Sequence, residues 1–148
     1  MAGFGLSDEQ RAFARQVGEI ARTKLRAEPG QPGRVNRSLL RTMGDLGLLR
    51  GLFGGAPDEA PRDAAALRLC LLRESIAQVN GEAETALALQ GLGSYPILQS
   101  GSPELVAEWI PKVVSGEAVA AFALSEPNAG SDAAALELRA EADGDGWR

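Results

Sequence analysis

A chain of 148 residues with 45% hydrophobic and 24% charged side chains is ordinary globular material, long enough to bury a real core, which excludes disordered and collagen-like readings. Its net charge of -5 makes neither nucleic acid nor an anionic membrane the default partner, and with no histidine it has no imidazole for metal or acid–base work. Aromatics are only 5%, so packing must rest on aliphatic side chains and close contacts, which favours helices.

Ser7-Asp-Glu-Gln10 is a capping box with Leu6 in the staple position, so a helix starts there. Phe13, Val17, Ile20, Ala21 and Leu25 recur at helical spacing until Pro29-Gly30 and Pro32-Gly33 break the pattern. Asn36 caps a second, short helix through Leu39, Leu40, Met43 and Leu46, with Gly47 as its terminator. Arg34, Arg37, Arg41 and Arg50 form a basic cluster, read as a solvated face. Gly51 to Gly55 lacks the Lys-Ser or Lys-Thr of a nucleotide loop. Asp63 to Val79 is expected to be a helix buried on several faces, with Cys70 inside it as a small buried hydrophobe and Asn80-Gly81 ending it. One cysteine can form neither an internal disulfide nor a zinc cluster.

Glu82 to Leu92 resumes with alternating small and large residues and reads as central. Gly91, Gly93 and Tyr95-Pro96 are expected to break it, leaving 96–100 as a separate helical piece. Ser102-Pro103-Glu104 opens another helix, in which Pro111 should force a kink or a restart, and Trp109 is expected to pack inside. Val119 to Leu124 is wholly apolar and suits a buried strand. Ser125-Glu126-Pro127-Asn128 then turns the chain, Ala129-Gly130 leaves the backbone nearly bare, and Ser131-Asp132 can cap a helical turn at Ala133. Two readings of this last turn stay open, a plain helix start and an anion site. Leu136 to Ala142 alternates like a strand with one wet face, and Asp143-Gly-Asp-Gly146 makes a hairpin into Trp147-Arg148. A hairpin interrupted that soon suggests part of a longer protein.

No stretch reaches the roughly 18 apolar residues that span a bilayer, and no leader is visible, so a soluble, cytoplasmic protein is expected. The expected fold is mainly α: residues 1–117 form a helical bundle, and 118–148 the first strands of a β-barrel-like middle domain, an incomplete α+β protein.

Phe122-Ala-Leu-Ser-Glu-Pro-Asn-Ala-Gly-Ser-Asp132 resembles the flavin-binding segment of the acyl-CoA dehydrogenase family: an aromatic, a small residue, an aliphatic, Thr or Ser, then Glu-Pro-x-Ala-Gly-Ser-Asp. Ten of its eleven positions fit in register, and Glu108 to Glu117 looks like the family's preceding helix and Gly-Glu. The resemblance implies FAD and an acyl-CoA substrate, with α,β-dehydrogenation of the thioester in fatty acid metabolism. It further implies an electron-transfer flavoprotein as acceptor and a homo-oligomer when complete. By position Phe122, Leu124 and Ser125 match residues lining the flavin ring, Ser125 with its hydroxyl on the pyrimidine edge. Gly130 and Ser131 match contacts further out, with Ser131 also near the thioester. Asn128 stands where many members have Gly, and Phe122 where many have Tyr. The family's catalytic base is a Glu in a later helical domain, so no catalytic residue and no metal ligand is expected within residues 1–148; Glu126 and Asp132 read as turn and cap. Two rivals remain: a flavin monooxygenase of the same fold, and a non-catalytic helical module or half of a split enzyme.

Overall fold

The computed structural model describes residues 5–26, 30–54 and 66–148. Pro29, Gly55, the stretch from Pro57 to Pro61 and the expected helix start at Asp63 lie outside the described residues. Among the described residues five helices carry the structure: α1 (Asp8–Lys24), α2 (Arg37–Asp45), α3 (Ala66–Ala77), α4 (Gly81–Ser100) and α5 (Pro103–Val114). Leu49–Phe53 is a 3-10 turn, and a two-stranded hairpin, β1 (Ala142–Asp143) and β2 (Gly146–Trp147), closes the chain.

The caps act as the sequence requires. Ser7 accepts from Gln10 N at 3.2 Å while the Gln10 side chain accepts from Ser7 N at 2.8 Å. At the end of α2, Gly47 takes φ +71°, its N–H reaches Gly44 O, and Leu48 N reaches back to Met43 O, the paired bonds of a Schellman ending. Asn80 does more than separate two helices. Its oxygen caps α4 at Ala83 N (3.0 Å), and its amide donates to Leu25 O (2.7 Å), satisfying an end carbonyl of α1.

α4 is the central element, packing on α2, α3, α5 and the 3-10 turn, while α1 lies against α3. The core gathers Val17 and Ala21 of α1 with Leu25 at its C-cap, Leu39, Leu40 and Met43 of α2, Leu49, Leu52 and Phe53 of the turn, Leu72 and Ile76 of α3, Leu87 of α4, and Ile110 and Val113 of α5. Each large aliphatic or aromatic side chain so buried contributes about 1.5–3 kcal/mol. Polar ties reinforce the contacts: Ser75 donates to Ala14 O across α3 and α1, and Arg73 pairs with Glu84 across α3 and α4.

Several expectations change. α4 runs unbroken through Gly91, Gly93 and Pro96, because its glycines are contact points. A Cβ on Gly91 would sit 3.3 Å from Leu52 Cδ2, and one on Gly93 would sit 2.5 Å from Ala121 O. Packing thus outweighs the roughly 1 kcal/mol helix penalty of each glycine. Likewise α5 continues through Pro111. Only one stripe of α3 is buried, Leu71, Leu72, Ser75 and Ile76, so Cys70 is exposed on the opposite side. Trp109 is on the surface, with the Lys112 ammonium 4.8 Å from its ring centre. Arg34, Arg37 and Arg41 are exposed, as a solvated face requires, whereas Arg50 is half-buried.

Candidate functional site

α5 delivers the chain to the site. Its end is turned by Gly116 at φ +73°, which packs so closely on the Leu40–Arg41 backbone that a Cβ has no room. Ala118 N then donates to Lys112 O at 2.9 Å. From Val119 to Ser125 the chain is neither helix nor turn, and among the described residues it pairs with no strand. Its partner is one side chain of α4. Gln90, 1% exposed, donates through Nε2 to Ala118 O (2.9 Å) and Val113 O (3.3 Å), and its Oε1 accepts from Ala120 N (2.6 Å). Donating to one residue's carbonyl while accepting from the amide two residues on is what the backbone of a parallel neighbour does. The carboxamide therefore replaces a strand edge, and Gly93, almost one turn further along α4, lets the Ala120–Ala121 backbone lie against the helix.

This arrangement forms one wall of a cavity of about 600 Å³ between the start of α2, α4 and residues 119–122. Leu39, Leu40, Ala86, Leu89, Val119 and Phe122 make most of its lining apolar, and Arg34 and Glu82 also contribute. Of the five expected cofactor residues, only Phe122 belongs to this wall. Phe122 and Leu124 are 47% and 43% exposed, so the expectation of a buried strand fails: no second sheet covers these side chains among the described residues.

The loop beyond is held by its carboxylates. Glu126 and Ala129 exchange backbone hydrogen bonds (2.8 and 3.2 Å) around Pro127-Asn128, and among the described residues no non-glycine residue has a positive φ, so Asn128 does not use its tolerance for one. The Glu126 carboxylate accepts from Glu137 N and Leu138 N, both at 2.9 Å. Asp132 accepts from Ala134 N at 3.2 Å, capping a 3-10 turn of only three residues, Ala133–Ala135. Both carboxylates thus serve backbone amides, and the turn is too short to focus a helix dipole, which removes the anion-site reading. Gly130 does not take a positive φ, and a Cβ there would meet no protein atom within 4 Å. Ser125 and Ser131 are exposed. Of the alternating run from Leu136 to Ala142 only Ala142 enters β1, and Leu138 is 86% exposed. The hairpin itself is as expected: Ala142 pairs with Trp147 and Asp143 with Gly146, around Gly144 at φ +61°.

Residues 7–117 match the family described as "Acyl-CoA dehydrogenase, N-terminal domain". The chain belongs to the acyl-CoA dehydrogenase family. It is 31% identical over 144 residues to cyclohexane-1-carbonyl-CoA dehydrogenase of Geobacter metallireducens, matching 95% of this chain and 38% of that protein. Its backbone is similar to the crystal structure of glutaryl-CoA dehydrogenase from Mycobacterium smegmatis, with a TM-score of 0.76, 28% identity, and coverage of 96% of this chain and 37% of that one. A glutaryl-CoA dehydrogenase of the same organism in complex with FADH2 matches with a TM-score of 0.75 and 27% identity, over 96% of this chain and 37% of that one. The chain therefore spans a little over a third of the length of these relatives.

For this member of the acyl-CoA dehydrogenase family, the residue that sequence reading missed is Gln90. Its signal was present. The buried positions of α4 are Ala83, Leu87, Gln90, Gly91 and Ser94, a helical stripe in which an amide and a hydroxyl stand among apolar neighbours.

Proposed function

We propose that residues 1–117 are the helical domain, and residues 118–148 the opening of the middle β domain, of an FAD-dependent enzyme that α,β-dehydrogenates acyl-CoA thioesters. The end of the family match at residue 117 supports that division. The observation that carries the functional reading is the segment Ala118 to Ser125. It is anchored on α4 at one end and presents an exposed aromatic, an exposed aliphatic and then a hydroxyl at the other. Such a strip fits one face and the polar edge of a flat, amphipathic ring, so Phe122, Leu124 and Ser125 would hold the flavin, and Ser131, with Gly130 beside it, would reach its outer parts and the thioester. When bound, the flavin would supply the two-electron acceptor for the β-hydrogen.

The chain's own contribution is orientation. Glu126 and Asp132 are engaged by backbone amides, which supports assigning removal of the α-proton to a carboxylate outside these residues. An electron-transfer flavoprotein as acceptor, a homo-oligomer, a role in fatty acid metabolism and a cytoplasmic location complete the proposal. Among the described residues no helix is long and apolar enough to cross a membrane. The test is anaerobic. Residues 1–148 mixed with FAD and a panel of acyl-CoA esters should leave the flavin band unbleached, and the same residues followed by a domain that carries the base should bleach it. Bleaching by residues 1–148 alone would return Glu126 or Asp132 to the list of bases.

A further inference from the structure

We infer that Gln90 is a positioning residue for the ligand-facing segment, its carboxamide setting where Ala118 to Phe122 lie relative to α4. The side chain is buried in the middle of a 20-residue helix, yet all three of its partners are backbone groups 23 to 30 residues further along the chain. They belong to the end of α5 and to the first residues of the segment that follows it, so one amide fixes both the exit of a helix and the course of the chain beyond it. Gly93 supplies the matching contact surface, with a Cβ there coming 3.0 Å from Ala120 Cβ and 2.9 Å from Ala121 N. Gln90, Val119, Ala120, Ala121 and Phe122 share one cavity wall. A shift of the segment away from α4 would therefore change the cavity and the place of Phe122 together.

An apolar side chain of equal length at position 90 would leave Ala118 O, Ala120 N and Val113 O without this partner. In a buried setting, backbone groups that lose a partner move to find another or let water in. The helical core, which rests on side-chain burial elsewhere, has no need of the amide. The consequence is local: loss of the bond frees the segment while the bundle stays folded. The effect on flavin binding rests on the function proposed above, whereas the effect on the segment does not.

Site-resolved hydrogen exchange on the 148-residue chain tests the clamp. In Gln90→Met the Ala120 amide should exchange about tenfold faster or more, with the amides of Ala21 and Ile76 unchanged. Should Gln90→Met fail to fold, Gln90→Asn, which keeps a buried amide but falls one methylene short, reads the same exchange. An Ala120 rate equal to that of the unsubstituted chain, or an equal rise at Ala21 and Ile76, overturns the inference. In the flavin-loaded protein, Gln90→Met should lower FAD affinity about tenfold and shift the visible band of the bound flavin. Ser75→Ala, which removes a hydrogen bond between α3 and α1, should leave both unchanged. Unchanged affinity and band in Gln90→Met overturn the positioning role. If the unsubstituted protein takes up no FAD, the flavin reading is what fails, and the exchange rate of Ala120 still decides the clamp.

Discussion

Residues 8–114 and residues 118–148 hold their shape by opposite means. In the helical part nearly every element contributes two or three fully buried apolar side chains to one core, and polar groups mostly cap and tie. After Ala118 the only buried side chain among the described residues is Ala129. The backbone there is instead fixed by a few polar side chains, Gln90 at the start and Glu126 and Asp132 further on. Burial over a broad surface makes the bundle insensitive to any one polar contact. A segment held at a few points leaves its other faces open, which is what a surface that receives a flat ligand requires.

The largest expected effect tests the contrast directly. Leu87→Ala empties a fully buried site at the centre of α4 and should cost about 2–5 kcal/mol of unfolding free energy, whereas Leu138→Ala, at an exposed site, should stay within about 0.5 kcal/mol. Chemical denaturation of both variants measures it, and comparable losses would mean that residue 138 belongs to a core after all. A smaller effect is expected at the junction. Gly93→Ala should improve the intrinsic helix preference of α4 by up to about 1 kcal/mol, yet its Cβ meets the Ala121 backbone, where overpacking typically costs about 1–3 kcal/mol. The segment should yield rather than the helix. Limited proteolysis should then show faster cleavage between Ala120 and Ser125 with an unchanged melting transition, and unchanged cleavage would show that the segment is not held by this contact.

Much of the bundle is legible in the sequence because its signals are local: the capping box at Ser7, the Asn36 cap and the Gly47 terminator each act over four or five residues, and each is found in place. What misleads is tertiary. Gly91, Gly93 and Pro96 read as breakers when only propensity is counted, and their use becomes visible once Leu52 and Ala121 are known to lie against the two glycines. Cys70 and Trp109 fail for a related reason, since an apolar neighbourhood in sequence does not say which face of a helix meets the core. In the candidate site, the run 119–124 is apolar but forms no strand, and the partner that holds it cannot be seen in its own residues. Here that partner is Gln90, 30 residues before Ala120, and period-two reasoning has no means to find a side chain that substitutes for a strand.

The smallest effect is expected at the cap that Ser102 makes at the start of α5. Ser102 accepts from Leu105 N at 3.4 Å, Pro103 takes the first helical position, and the Glu104 carboxylate lies in the first turn. The Ser102 hydroxyl and the residue's own backbone N–H hold the Glu104 carboxyl below its ordinary value. A pKa lowered in the folded state means that folding favours the charged form. The stabilisation is therefore present above the ordinary carboxylate range and is lost as pH falls through the lowered folded value. Glu104 is fully exposed, so solvent screens the interaction and the effect must be small. Glu104→Gln should melt slightly below the unsubstituted chain at neutral pH, and the two should converge in acid. Because the cap belongs to the bundle, cleavage between Ala120 and Ser125 should not change in this variant. A gap that persists in acid would show that the Glu104 side chain acts through packing, and faster cleavage would show that the start of α5 and the segment beyond it are coupled along the helix.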